Sequence, residues 1–216
     1  MLLTTIDLLG TLAFALTGAF RAVKHELDWL GVAVLACITG IGGGIVRDIL
    51  LGCTPPVALR QPMYLLVCLA GAALTIVAKR RIATLWNWVM VADALGLGFF
   101  AAIGAARAES AGATPLVVVL LAGVTAVGGG VLRDILVSEI PQVLKSDFYA
   151  TAALIGGGVF WAFGLGGLAE TPRLLITTAL VFGLRLVAMR RRLELPKMSR
   201  LPTNPSRIAN SGREEN

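Results

Sequence analysis

The sequence predicts an all-α integral membrane protein of seven transmembrane helices: an inverted repeat of two three-helix units, followed by a seventh helix. Three observations predict it. Apolar residues fill 56% of the 216 positions and charged residues only 15%, with a mean hydropathy of +0.81, well beyond soluble usage. Long apolar runs recur without strand-like alternation and aromatics are only 6%, which favours helices over an outer-membrane barrel. The segment Gly42-Gly43-Gly44-Ile45-Val46-Arg47-Asp48-Ile49-Leu50 returns 86 residues later as Gly128-Gly129-Gly130-Val131-Leu132-Arg133-Asp134-Ile135-Leu136.

The spans are roughly Leu3–Val23, Trp29–Leu51, Tyr64–Ala78, Leu85–Ala106, Pro115–Val137, Phe148–Leu168 and Pro172–Met189. Each can cross a hydrocarbon core of about 30 Å, the third being the shortest. The first has no basic n-region and is long enough to span, so it does not read as a cleavable signal peptide. Lys and Arg set the orientation. Arg21 and Lys24 follow span 1, Lys79, Arg80 and Arg81 follow span 3, and Arg190, Arg191, Arg192, Lys197 and Arg200 follow span 7. Seven spans place all three groups on one side, so the N-terminus is expected outside and the C-terminus in the cytoplasm. The basic tail, which carries much of the net charge of +6, reads as a topology signal and a contact for anionic membrane lipid rather than for nucleic acid.

The repeat extends beyond the glycines. At the same offset Asp7 matches Asp93, Gly10 matches Gly96, Phe14 matches Phe100, and Gly18-Ala19 matches Gly104-Ala105. Arg21-Ala22 matches Arg107-Ala108, Thr39 matches Thr125, and Pro55 matches Pro141. Residues 1–84 and 85–170 are therefore two copies of one unit, with 171–192 a separate last helix and 193–216 a polar tail expected to be disordered. Three spans per copy is an odd number, so the second copy enters the membrane upside down.

The glycine triplets are the first candidates for function. Glycine costs about 1 kcal/mol relative to alanine inside a helix, so Gly42, Gly43, Gly44, Gly128, Gly129 and Gly130 are expected to break spans 2 and 5 near mid-membrane. Freed backbone at that depth must be buried in protein or line a watery cavity, and symmetric breaks point to a central pathway. Tight helix packing is the other reading. A third triplet, Gly156–Gly158, lacks an Arg-Asp pair and reads as packing.

The charges come next. Asp7, Arg47, Asp48, Asp93, Arg133 and Asp134 lie within spans, where each costs about 2.5–3.5 kcal/mol on insertion scales. The inverted topology predicts one Asp-Arg-Asp cluster at each face, net negative and so favourable to cations. Each cluster is either a gate or a scaffold. Thr39 and Thr125 precede the glycines and are expected either to offer hydroxyls to a dehydrated ion or to bond back to the helix.

Other chemistry is thinly supported. His25 reads as a solvated loop residue. Cys37, Cys53 and Cys68 have no metal-ligand spacing and read as small apolar residues. No GxSxG, HExxH or P-loop occurs, so an enzyme is not expected, and no cofactor or tightly bound metal is implied.

The doubled GGGxxRDxL motif in a seven-span chain resembles the prokaryotic TRIC (trimeric intracellular cation channel) family, also called the UPF0126 family, over about residues 3–190. The resemblance implies a homotrimer with a pore in each subunit, running through the inverted repeats around the two glycine triplets. It implies permeation of monovalent cations, chiefly K+, with Na+ also admitted. Animal members carry a Lys-Glu-Val type motif that binds phosphoinositide beside the first glycines. Here Ile45-Val46-Arg47-Asp48 stands instead, so that property does not carry over. Some bacterial relatives are described as glycine uptake proteins, so a secondary transporter of a small amino acid is the rival reading, and a lipid-binding or structural membrane protein a third.

Overall fold

Helices stand at all seven expected places. The structure is a computed structural model that describes residues 2–78, 82–145 and 148–191, the side chains of 82–86 excepted. In order they are α1 (Leu2–Lys24), α2 (Trp29–Leu50), a short α3 (Val57–Arg60), α4 (Pro62–Ala78), α5 (Ile82–Ser110), α6 (Pro115–Leu136), a short α7 (Gln142–Lys145), α8 (Ala150–Leu165) and α9 (Glu170–Arg191). By length and composition α1, α2, α5, α6 and α9 can each cross a membrane, while α4 and α8 are shorter apolar helices. Lys79, Arg80, Arg81, Arg192, Lys197 and Arg200, which carry much of the orientation argument, and the 193–216 tail lie outside the described residues.

Local chemistry fixes the helix ends. Asp28 caps α2, its Oδ1 accepting from the Gly31 N–H at 2.7 Å, and Pro115 opens α6 where a missing N–H costs nothing. The turns repeat at the 86-residue offset. Glu26 (φ 56°) corresponds to Gly112 (φ 73°), and Gly52 (φ 70°) corresponds to Ser138 (φ 57°). Each copy uses glycine at one of these left-handed turns and a costlier residue at the other.

Helix α1 packs on α2, α4 and α5. Helix α5 in turn packs on α6, α8 and α9, and α2 crosses α6. Small residues let these backbones close up: Ala15, Ala19 and Ala36 are fully buried between α1, α2 and α4, as are Ala101, Ala105, Ala122 and Ala126 around α5 and α6. Helix α9 docks by two inward cations. Arg173 pairs with Glu109 at 2.8 Å and lies 4.5 Å over the Phe160 ring. Arg185 lies 4.8 Å over the ring of Tyr149.

One expectation is corrected. The triplets Gly42–Gly44 and Gly128–Gly130 do not break their helices, because α2 and α6 run continuously through them. The glycines serve a close crossing instead. A methyl group on Gly43 would collide with the Thr125 carbonyl oxygen, and one on Gly129 would collide with the Thr39 carbonyl oxygen. A methyl on Gly128 would stand 3.1 Å from Gly43 Cα. The Cα–H groups face carbonyls across the crossing, contacts worth about 0.5–1 kcal/mol each. The helices therefore keep their internal hydrogen bonds while approaching more closely than any other residue permits. The third triplet packs as expected: a methyl on Gly157 would strike Ala122 Cβ at 2.6 Å.

Candidate functional site: two buried charge clusters about a glycine crossing

The six charged residues singled out from the sequence are all buried, none more than 4% exposed. They form two clusters, each at the C-terminal end of a glycine-bearing helix.

In the first, the Arg47 Nε and Nη2 groups both donate to Asp48 Oδ1 at 2.9 Å. Asp48 Oδ2 accepts from the Val57 N–H at 2.9 Å, so the same carboxylate caps α3. Asp7 of α1 accepts from the Tyr64 hydroxyl of α4 at 2.9 Å. Arg47 Nη1 is buried without a hydrogen-bond partner among the described residues. These side chains, with Thr11, Gly40 and Gly44, line a cavity of about 10 Å³, room for roughly one water.

The second cluster repeats the design. Arg133 Nε donates to Asp134 Oδ1 at 2.9 Å, and Asp134 Oδ2 accepts from the Gln142 N–H at 2.8 Å, capping α7. Arg133 Nη1 reaches both Asp93 Oδ1 and Thr17 Oγ1 at 3.1 Å. Thr17, Arg21, Asp93, Arg133 and Gln142 line a second cavity, also about 10 Å³.

The clusters differ in one respect. Arg133 reaches the aspartate of its neighbouring helix, Asp93, at 3.1 Å, whereas Arg47 pairs with Asp48 alone among the described residues; a tyrosine lies against that aspartate in both clusters, Tyr64 on Asp7 and Tyr149 on Asp93. The expected net negative charge also changes. Arg107 lies close enough to act electrostatically on Asp7, and its repeat counterpart Arg21 lines the second cavity. The first site thus has two arginines for two aspartates, whereas at the second Arg21 is already paired with Glu139 at 2.9 Å.

The threonines sit at the crossing by their carbonyls, not their hydroxyls. Thr39 Oγ1 donates to the Leu35 carbonyl at 2.6 Å, and the Thr39 side chain presses on Gly18 as that of Thr125 presses on Gly104. The Thr39 hydroxyl proton is thereby used within the helix.

His25 is not simply solvated. Its Nε2 lies 2.9 Å from Glu139 Oε1, and Arg21 Nη1 donates to Glu139 Oε2 at 2.9 Å. Partial burial raises the Glu139 carboxyl, but the His25 hydrogen bond and the Arg21 charge outweigh it and hold it below the ordinary glutamate range.

Sequence reasoning missed Tyr64, Tyr149, Glu139 and Arg185. A signal for the tyrosines exists: Pro55-Pro56 of the first copy is answered by Pro141 alone. Beyond that deletion the offset is 85, which pairs Val57 with Gln142 and Tyr64 with Tyr149. Glu139 has Cys53 as its repeat counterpart and leaves no repeat signal.

Paired buried ion clusters, each beside a small cavity and disposed about a glycine crossing, define a multi-span helical membrane protein with internal polar sites. Similar proteins narrow the class. A family model described as a glycine transporter matches residues 4–80 and 90–164. The UPF0126 inner membrane protein YadS of Escherichia coli K12 is 38% identical over 201 residues, covering 91% of this chain and 96% of its own. A UPF0126 membrane protein of Vibrio cholerae is 40% identical over 197 residues, covering 90% and 82%. Among solved structures, a TRIC cation channel superimposes with a TM-score of 0.87 at 37% identity, covering 94% of this chain and 100% of that one. The TRIC trimeric intracellular cation channel orthologue from Rhodobacter sphaeroides gives 0.85 at 35% identity, covering 89% and 99%. The chain belongs to the TRIC family, also called UPF0126.

Proposed function

We propose that the protein is a potassium-permeable, monovalent cation channel of a prokaryotic inner membrane. It assembles as a homotrimer with one path per subunit, its N-terminus outside and its C-terminus cytoplasmic. The observation that carries this reading is the pair of charged cavities placed symmetrically about the crossing of α2 and α6. With the second unit inverted, one cavity opens toward each face and the glycines Gly42–Gly44 and Gly128–Gly130 lie between them. The aspartates offer a passing cation partial replacement of its water shell, while the arginines offset part of their charge so that an ion is not trapped. No rigid ring of carbonyls such as TVGYG occurs in the sequence, so discrimination among alkali ions is modest. No cofactor is required, and K+ or Na+ is the permeant species.

The solved structures similar to this chain are described as cation channels, which supports the reading. The description of the matching family model favours a second one, uptake of glycine. Purified protein in liposomes separates them. A channel gives unitary currents whose reversal follows the K+ gradient; a transporter gives saturable uptake of labelled glycine without such currents.

A further inference from the structure

The two cavities share no lining residue, and what stands between them is aromatic. Along α1, Thr11 lines the first cavity and Thr17 the second, with Phe14 between them, about one turn from each. Phe14 is 1% exposed and Phe100, its repeat counterpart on α5, is 2% exposed. Their ring centroids are 5.1 Å apart with the planes tilted by 51°.

Each ring rests on a glycine of the other helix. A methyl on Gly96 would strike Phe14 Cδ1 at 2.5 Å, and one on Gly10 would lie 3.5 Å from Phe100 Cε1 and Cζ. Gly10 and Gly96 are themselves 86 residues apart. Phe14 also reaches the crossing, with Cδ2 3.4 Å from the position of a Gly129 methyl. Phe100 forms part of the wall of the first cavity. Both hydroxyls flanking Phe14 donate to helix carbonyls: Thr11 to Asp7 O and Thr17 to Phe14 O, each at 2.8 Å.

We propose that Phe14 and Phe100 form an aromatic plug on the pseudo-two-fold axis, closing the path between the two charged cavities. The proposal rests on the channel reading. Two tilted, packed rings offer a cation no lone pair and leave no room for its hydration shell, so the constriction stays dry and closed to ions. Each ring fills its glycine seat, so opening requires it to leave that seat. Opening is then a side-chain rearrangement at the centre, with the ion pairs left in place at either end.

The test uses the full-length protein in liposomes, with Phe14→Ala, Phe100→Ala and the milder Phe14→Leu and Phe100→Leu. Basal K+ efflux and the K+ over Cl− permeability ratio are read together. Shortening either ring is expected to raise basal K+ efflux at least about tenfold, with cation selectivity retained because the charge clusters are intact. The leucine variants, closer in volume, keep the test open if an alanine variant fails to fold. Folded variants whose K+ efflux equals that of the unsubstituted protein, or whose leak loses cation selectivity, overturn the plug. If neither the unsubstituted protein nor any folded variant passes K+ under any voltage, the channel reading itself falls, and the plug with it.

Discussion

Asp48→Asn and Asp134→Asn look equivalent in sequence, yet the structure predicts unequal costs. Both aspartates do two jobs, one oxygen on an arginine and the other capping a short helix. Asparagine has a single acceptor oxygen, so either variant loses one of those bonds, about 1 kcal/mol. The difference lies in the arginine left behind. Within 4.0 Å Arg47 has only the Asp48 carboxylate, among the described residues, whereas Arg133 keeps Asp93 at 3.1 Å. Stranding a buried charge costs about 3–5 kcal/mol. Asp48→Asn is therefore expected to destabilise by about 3 kcal/mol or more, and Asp134→Asn by about 1–2 kcal/mol. Denaturant titration of the detergent-solubilised protein, followed by tryptophan fluorescence, measures both. Equal losses, or a larger loss for Asp134→Asn, would refute this account of how the arginines are neutralised.

Other outcomes follow from the same geometry. Gly43→Ala and Gly129→Ala push the new methyl into a carbonyl of the facing helix and should each lower stability by about 1–3 kcal/mol. Gly183→Ala on α9 meets nothing within 4 Å and should be neutral or stabilising by up to about 1 kcal/mol; thermal denaturation of the three compares them. Tyr64→Phe removes the hydroxyl on Asp7 and should cost about 1.5–3 kcal/mol in the same assay. Glu139 titrates below its ordinary 4.5 when folded. Its bonds to Arg21 and His25 thus contribute above that pH and are lost as the pH falls through the folded value. The stability advantage over Glu139→Gln should shrink as the pH falls below about 4.5; an advantage that grows below that pH would contradict the sign.

Much of the site is written in the sequence because a duplication repeats it. Asp7, Arg47 and Asp48 recur as Asp93, Arg133 and Asp134, and burial in a membrane leaves such charges little choice but to meet. What the repeat hides is more instructive. Helix breakage at the triplets does not follow from glycine's propensity, because packing at the crossing outweighs a cost of about 1 kcal/mol per residue. Tyr64 and Tyr149 are masked by a one-residue loop deletion that shifts the offset just before them. Arg21 and Arg107 are visible as a repeated pair, but their role depends on helix rotation, which fixes which face of α1 and α5 turns inward. Arg185 belongs to α9, outside the repeat, so internal symmetry says nothing about it. Glu139 belongs to one copy only, and no periodicity announces it.

The central claim, that cations pass between the two charged cavities through each subunit, is tested most directly by current reversal. With purified protein in a planar bilayer and a tenfold KCl gradient, the account predicts unitary currents that reverse close to the K+ equilibrium potential. Currents reversing at the Cl− potential, or labelled glycine accumulating with no unitary current at all, would contradict it.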